Sequence, residues 1–396
     1  METFKIIDAD VHPYVRGGLK TLYEYMPKSA RALFEHDGAS DADAPDTRPA
    51  PSWRHGMHWN HPNRYTNPNP GVKVGVLRPD AVPPSGGLPG TDPAFVAKDL
   101  LDRHNVEAAV LLPVASAGGG HVESISAFTD LAAGAAYVSA VNEYFIDNWL
   151  PVDRRFGYAL QLLTRDPEQA VAEIRRHEAR AGVVACFLPL LNILMGDRYY
   201  YPIYEAAQEC ELPVLIHPFA AEGNFLGGPL LAGGVPATYL ERHVDLAQIG
   251  QANVASMVLQ GVFERFPRLH LILAEFGFTW IAPLMWRLDR DWRWARGAVP
   301  GAIKGRPSEY IAEKVRLTTQ PLEEPDSVDH LRLVMEMAHA ERTILFSSDY
   351  PHWDNDNPDT VLRQLPADMR RRIYRDNALE TFGPRLRKLI DRRDVA

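Results

Sequence analysis

The sequence predicts a (β/α)8 barrel of the TIM type, distorted by a long insertion after its first strand. Short apolar segments rich in β-branched residues recur eight times along the 396 residues, and segments with helical spacing separate them. This alternation indicates a parallel sheet built from βα units, and eight units favour a closed barrel over an open doubly wound sheet. Because 46% of the residues are hydrophobic, one elaborated domain over residues 1–396 can bury its own core.

The predicted strands follow one another in chain order. They are FKIIDAD (4–10), EAAVLLP (107–113), FGYALQL (156–162), GVVACFL (182–188), LPVLIH (212–217), LHLILAE (269–275), VRLTTQ (315–320) and TILFSSD (343–349). Apolar residues at helical spacing fill the segments between them, most clearly in residues 127–150, 167–180, 202–210 and 279–294.

Residues 38–91 interrupt this alternation and form the predicted insertion. The segment is rich in Pro, Gly, Asp, Asn and His and lacks apolar periodicity. An insertion at this point of a barrel leaves from the catalytic face, so it predicts a lid over the active site or a dimer arm. A disordered surface loop is the alternative, but Trp53, Trp59 and Tyr65 give the segment side chains that can pack. Residues 218–239 form a second long connection at the same face.

Charge and cysteine content exclude several function classes. The formal net charge is -9 and the pI is near 5.9, which argues against nucleic acid or an acidic membrane surface as a partner. The two cysteines, Cys186 and Cys210, form no CxxC pattern, so neither a disulfide framework nor a thiolate metal site is indicated. With no signal peptide and no membrane span in view, we expect a cytoplasmic enzyme that acts on a small molecule, with a homodimer as its candidate assembly.

Residues that can bind a metal follow four of the predicted strands. Asp10 and His12 alternate along the first strand and therefore share a face, while His217, Glu275 and Asp349 end the fifth, sixth and eighth strands. Taken singly, each has a structural explanation: a helix cap, a buried core histidine, a rim salt bridge or a turn. Because the carboxyl ends of barrel strands meet at one face, together they predict a site for one divalent ion. Imidazole and carboxylate ligands suit zinc first, with manganese or iron as alternatives.

The motifs in this order resemble those of a known family. They are IDADVHP (7–13), GDRYYYPIYEAAQECELPVLIHPFA (196–220), GVFERFPRLHLILAEFGFTWIAPLMWRLDR (261–290), GRPSEYIAEKVRLTTQP (305–321) and ILFSSDYPHWD (344–354). The chain resembles the amidohydrolase superfamily, and within it amidohydrolase family 2, the group related to aminocarboxymuconate-semialdehyde decarboxylase. The resemblance implies that the metal ligands are Asp10, His12, His217 and Asp349.

Three departures from the family pattern bear on mechanism. The first strand carries Asp10 where many members have the first histidine of His-x-His, as in the acidic variant of some decarboxylases. The fourth strand offers Cys186 but no lysine to bridge two metals, so the resemblance implies a single ion. The sixth strand ends in Glu275, whereas the better-known decarboxylases have a catalytic histidine there.

Two reactions remain open at this stage, with Asp349, Glu275 and His217 as the catalytic candidates. In a lyase, Asp349 protonates the carbon that loses CO2. In a hydrolase, a water activated by the metal attacks an ester, lactone or amide carbonyl while Asp349 moves the proton. Glu275 assists in either reaction. A catalytically silent metal-binding barrel is the third possibility, because a fold alone does not establish function.

Candidate substrate contacts lie in the loops at the predicted catalytic face. Arg16, Arg64 and His352 could bind a substrate carboxylate, although such residues are more often surface charges. Aromatic side chains in these loops predict a flat, stacking substrate, and ordinary loop packing is the alternative for each one. They are Trp59, Phe225, Phe276, Trp280, Tyr350 and Trp353. The predicted substrate is an aromatic or unsaturated carboxylic acid.

Overall fold

Eight parallel strands form one sheet in the computed structural model, which describes residues 4–35, 77–114, 130–218, 228–234, 239–298 and 303–391. Each strand pairs with the next one in the chain, so the spatial order equals the sequence order. The strands are β1 (Ile6–Val11), β2 (Val106–Leu111), β3 (Phe156–Gln161), β4 (Val183–Phe187), β5 (Val214–Ile216), β6 (Leu271–Leu273), β7 (Val315–Thr318) and β8 (Ile344–Leu345).

Main-chain hydrogen bonds join the last strand to the first. Ala9 N donates to the carbonyl of Phe346 at 2.9 Å, and Val11 pairs in parallel with Tyr350 beyond the end of β8. The sheet therefore closes on itself almost completely, and the predicted (β/α)8 barrel is confirmed.

Helices occupy most of the connections between strands, as the alternating pattern predicts. Several begin at side chains typical of helix starts: Asp130 accepts hydrogen bonds from the first turn of one helix, and Asp166 precedes a proline at the start of another. The α-helices in the described ranges are Leu19–Leu22, Lys28–Glu35, Pro93–Val96, Leu131–Asn148, Pro167–His177, Tyr201–Glu209, Tyr239–Leu259, Val262–Arg265, Ile281–Ala295, Pro307–Lys314, Val328–Met337, Ala340–Thr343, Ala367–Arg371, Asn377–Thr381 and Gly383–Asp391. Among these described helices, none combines the length and apolarity that crossing a membrane requires.

All eight predicted strands are present, but β5, β6 and β8 are shorter than the apolar segments that predict them. Every residue of the eight strands is buried, which explains why these segments are continuous apolar runs in the sequence. The residues just beyond the short strands, including His217, Glu275 and Asp349, leave the ladder at the carboxyl end of the barrel. Apolar pattern alone does not mark where that departure occurs.

The end of the predicted insertion lies over the loops that follow β1 and β8. Leu77 pairs with His352, Arg78 N donates to the carbonyl of Pro351 at 2.9 Å, and the carbonyl of Gly90 accepts from Tyr14 N at 2.8 Å. Residues 38–76, which include Trp53, lie outside the described residues. The lid or dimer-arm role of residues 38–91 therefore stays a prediction.

Candidate metal centre

Four side chains from three parts of the barrel meet at its carboxyl end. One ligand atom from each of Asp10, His12, His217 and Asp349 lies within 4.8 Å of those of the other three, and all four residues are buried. His12 Nε2 is 3.2 Å from Asp10 Oδ1 and 2.8 Å from Asp349 Oδ1, and His217 Nε2 is 3.4 Å from Asp10 Oδ2. We call these four residues the metal cluster.

Main-chain acceptors set the orientation of both imidazoles. His12 Nδ1 donates to the carbonyl of Leu112 at 3.0 Å, and His217 Nδ1 donates to the carbonyl of Pro218 at 2.6 Å. With the proton on Nδ1, each ring presents the lone pair of Nε2 to the interior of the cluster. A metal-binding histidine usually donates its other ring N–H in this way, to a carbonyl, a carboxylate or water.

Buried polar atoms without a hydrogen bond show that the cluster fits a cation. Within the described residues, the atoms lacking a partner in hydrogen-bond geometry include His12 Nε2, His217 Nε2, both carboxylate oxygens of Asp10 and Asp349 Oδ2. Leaving such groups buried and unpaired is costly, and a metal ion held by the two Nε2 atoms and the Asp10 carboxylate would satisfy most of them at once. Two carboxylates and two neutral imidazoles are donors that a divalent ion such as zinc, manganese or iron accepts.

The main chain at two of the site residues adopts a conformation that side chains rarely take. Glu275 has φ 63° and Asp349 has φ 58°, both in the left-handed region. Such strain persists where surrounding contacts impose it, and it concentrates at functional sites. Here Glu275 N donates to Thr318 Oγ1 at 3.2 Å, and Asp349 N donates to the carbonyl of Asp10 at 3.1 Å.

His352 is the direct partner of Asp349. Its Nδ1 donates to Asp349 Oδ1 at 2.7 Å, its ring stacks on that of His12 with centroids 4.4 Å apart, and its Nε2 is 3.1 Å from Tyr14 Oη. Burial raises the pKa of Asp349 to about 7. Burial also acts to lower the pKa of His352, but the charge and hydrogen bond of Asp349, together with the charges of Glu275 and Asp354, outweigh burial and raise that pKa to about 9.

A second group of side chains adjoins the metal cluster through Glu275. Glu275 Oε2 is 2.9 Å from His217 Nε2, and Glu275 Oε1 is 3.4 Å from His243 Nε2. His243 Nε2 is also 3.4 Å from Asp354 Oδ2. Burial acts to raise the pKa of Glu275, but its contacts with the imidazoles of His217 and His243 hold that pKa well below its usual range. Glu275 is therefore an anion at the edge of the cluster.

Comparison with known proteins places the chain in a family. The family model described as Amidohydrolase matches residues 7–383. The chain belongs to this amidohydrolase family. The match spans every residue of the metal cluster and all eight strands apart from Ile6, the first residue of β1.

Similar proteins of this family include decarboxylases. This amidohydrolase is 26% identical over 272 residues to the decarboxylase orsB of Emericella nidulans, covering 65% of this chain and 74% of that one. It is 24% identical over 267 residues to a gamma-resorcylate decarboxylase of a Rhizobium species, covering 64% and 75%. A solved dihydroxybenzoic acid decarboxylase from a Polaromonas species, with bound manganese and the inhibitor 2-nitroresorcinol, matches with a TM-score of 0.60. At 17% identity, with 96% and 97% of the chains covered, that structure shows a shared fold.

The residues predicted to contact substrate have different surroundings in the structure. The Arg16 guanidinium bonds to the carbonyl and hydroxyl of Ser85 at the surface. Phe276 is buried, and Trp280 donates to the carbonyls of Phe276 and Gly277, so both pack at the end of β6. The Tyr350 side chain donates to Asp99, while its carbonyl accepts from His12 N at 2.7 Å, and the His352 side chain donates to Asp349 of the metal cluster. The described residues do not include Arg64, Trp59 and Phe225.

Two further residues of the site were missed by sequence reasoning. His243 lies inside the helix Tyr239–Leu259, where a single histidine is indistinguishable from a surface residue. Asp354 follows the eighth strand as part of the segment PHWD, five residues after Asp349, and this proximity to a predicted ligand was its only signal. Asp8 was quoted only as part of a motif, yet its Oδ1 accepts from Asp10 N and Ser348 N beneath the cluster.

Proposed function

We propose that this member of the amidohydrolase family is a metal-dependent carboxy-lyase, which removes CO2 without oxidation from an aromatic or unsaturated carboxylic acid. The observation that carries the proposal is the buried metal cluster with an ionisable carboxyl, Asp349, held against a histidine at its edge. The similarity to decarboxylases of aromatic acids supports the substrate class. The fold it shares with a dihydroxybenzoic acid decarboxylase is consistent with the same chemistry.

Asp10, His12, His217 and Asp349 are the residues that would hold the ion. A divalent ion there supplies a positive charge that binds and polarises the oxygens of an acid substrate. Ligand type favours zinc, and the manganese in the solved relative supports manganese as the second ion to test. Iron fits the same ligands.

Asp349 carries the proton that the reaction consumes. The bond between the ring or alkene carbon and the carboxylate breaks, its electron pair stays on carbon, and the proton moves from Asp349 Oδ2 to that carbon as CO2 leaves. Oδ1 accepts from His352, so the proton resides on Oδ2, which has no other partner among the described residues. His352 then returns a proton to Asp349 and takes up one from solvent, to which 16% of its side chain is exposed, so one solvent proton is consumed for each CO2 released.

Glu275 and His217 complete the proposed catalytic group. His217 is oriented by Pro218, and Glu275 presents an oxygen 2.9 Å from its Nε2. An anionic carboxylate at this edge orients the hydroxyl of a hydroxylated substrate by accepting its proton in a hydrogen bond. Arg16, Arg64, Phe276, Trp280 and Tyr350 stay predictions as substrate contacts, and His352 acts in the proposal through Asp349.

Hydrolysis of an ester, lactone or amide is the second candidate, and Glu275 is the observation that favours it. An anionic carboxylate beside the metal cluster can take a proton from an attacking water, which a decarboxylation does not require. Asp349 would then protonate the leaving group.

One experiment separates these candidates. Chelator-stripped protein is reloaded with zinc, manganese or iron, the metal content is measured by plasma mass spectrometry, and turnover is assayed on two substrate panels. Release of CO2 from hydroxybenzoates, including 2,6-dihydroxybenzoate, supports the lyase. Turnover confined to lactones and aryl esters replaces it with the hydrolase, and a loaded protein inactive on both panels supports the silent metal-binding barrel. The homodimer and the cytoplasmic location stay predictions.

A further inference from the structure

We infer that His243 is a positioning residue for the reaction: it holds the Glu275 carboxylate against the metal cluster, and Asp354 holds His243 in turn. The inference rests on the proposed function for its kinetic test. It assigns a role to a residue that comes from a helix rather than from a strand end, where barrel enzymes usually carry their site residues.

The two oxygens of Glu275 face two different imidazoles. Oε2 lies 2.9 Å from His217 Nε2, and Oε1 lies 3.4 Å from His243 Nε2. The carboxylate therefore bridges a residue of the metal cluster and a residue outside it. The main chain of Glu275 is in the left-handed region, a conformation that persists where surrounding contacts impose it, and the two imidazoles supply contacts at the end of the side chain.

His243 is itself held by a second carboxylate from another part of the barrel. Its Nε2 lies 3.4 Å from Asp354 Oδ2, and Gln320 Nε2 donates to the same oxygen at 3.2 Å. The chain of contacts thus ties the helix Tyr239–Leu259 to the ends of β6, β7 and β8. His243 is mostly buried, with 15% of its side chain exposed.

Charge supports the same assignment. Burial acts to lower the pKa of His243, but the carboxylates of Asp354 and Glu275 outweigh it and raise the pKa to about 10. An imidazole opposite Oε1 attracts that oxygen, which leaves the other oxygen of Glu275 facing His217. Mutation of a residue that orients a metal-site group from outside typically lowers metal affinity or activity about 10- to 100-fold, and we expect an effect of this size here.

Kinetics of His243 variants give the first test. We expect His243→Ala to lower kcat about 10- to 100-fold with KM changed by less than about threefold. His243→Gln keeps an N–H near the position of Nε2 and should recover part of the loss. His330→Ala, at an exposed histidine of the helix Val328–Met337, is the control and should match the parent. A His243→Ala enzyme with unchanged kcat overturns the inference.

A double-mutant cycle tests whether His243 acts through Glu275. In a Glu275→Gln background, His243→Ala should cause no further loss of kcat, because the group that it positions is already altered. Fully additive losses would mean that His243 acts independently, and this would overturn the inference. Thermal melting of each variant confirms that the protein remains folded.

Cobalt spectroscopy tests the same role without depending on turnover. The visible absorption of protein loaded with Co²⁺ reports on the groups around the ion. We expect His243→Ala and Glu275→Gln to change this spectrum alike, with no further change in the double variant. An unchanged spectrum in His243→Ala overturns the inference. The inference is also overturned if the parent binds two ions per chain and His243→Ala binds one, because His243 would then be a ligand of a second ion. Absence of CO2 release by the parent would overturn the proposed function alone.

Discussion

The main-chain N–H of Asp349 donates to the carbonyl of Asp10 at 3.1 Å, which joins the loop after the last strand to the end of the first. The two carboxylates that this bond brings together come from positions 339 residues apart in the sequence. Their side chains both approach His12 Nε2, at 3.2 Å from Asp10 and 2.8 Å from Asp349. Closure of the barrel between its last and first strands therefore also brings together three of the four residues of the metal cluster, Asp10, His12 and Asp349.

Removal of one imidazole should empty the metal cluster. We expect His217→Ala to weaken metal binding at least about 100-fold, because the remaining residues supply too few donors and leave two buried carboxylates facing each other. Metal content after dialysis, measured by plasma mass spectrometry, checks this. His330→Ala is the control, and an unchanged metal content in His217→Ala would refute the assignment of that ligand.

Substitution of Asp349 should abolish turnover while the fold survives. Asp349→Asn preserves the side-chain shape but cannot donate a carboxylic proton, so kcat should fall by about 100-fold or more. The measurement is CO2 release at saturating substrate on metal-loaded protein, with the metal content determined in parallel. Full activity at normal loading would exclude Asp349 as the proton donor.

Gly90 should resist replacement because of what surrounds it. Its φ is 78°, and a Cβ there would lie 2.7 Å from the carbonyl oxygen of His12 and 3.0 Å from the Tyr14 ring. Gly86 has a similar φ of 81° with nothing within 4 Å of a Cβ, so Gly86→Ala is a matched control. We expect Gly86→Ala to lose about 1 kcal/mol of unfolding free energy and Gly90→Ala to lose about 1–3 kcal/mol more.

Chemical denaturation of both glycine variants measures these differences. Since Gly90 contacts the loop that carries His12, Gly90→Ala should also weaken metal binding, whereas Gly86→Ala should not. Equal stability losses in the two variants would contradict this account, because they would show that the backbone conformation alone, and not the surrounding atoms, explains the need for glycine at position 90.

Glu173 should make the stability of the protein depend on pH below 5. Burial acts to raise its pKa, but hydrogen bonds from His177, Arg176 and Asn142 outweigh burial and lower the pKa from 4.5 to about 2. A lowered carboxyl pKa stabilises the fold above the unfolded value, and that stability is lost as the pH falls from about 4.5 toward 2. The contribution at neutral pH is about 3 kcal/mol, from the difference between the two pKa values.

The Glu173→Gln variant tests this account. Its unfolding free energy at pH 7 should be lower than that of the parent, and it should decline less steeply between pH 5 and the acid limit of the assay. Glu168→Gln changes an exposed glutamate of the same helix and serves as the control. Parallel pH profiles for the parent and Glu173→Gln would contradict the assigned pKa.

Local sequence patterns determined the barrel and the donors of the metal cluster. The eight apolar segments are buried strands. A run of apolar residues is visible in a short stretch of sequence, so such strands can be predicted without knowledge of the rest of the fold. Asp10, His12, His217 and Asp349 were recognisable because each stands at or just beyond a strand end. In a parallel barrel, all such ends meet at one face, so position along the chain predicts proximity in space.

Only the tertiary structure decided which side chains surround that cluster. The Tyr350 side chain turns toward Asp99 and Trp280 packs on the end of β6, although both stand in the same loops as Asp349 and Glu275. His243 reaches Glu275 from a helix whose sequence carries no mark of it. Side-chain direction in loops and the approach of a distant helix depend on long-range packing, and no local pattern along the chain encodes them.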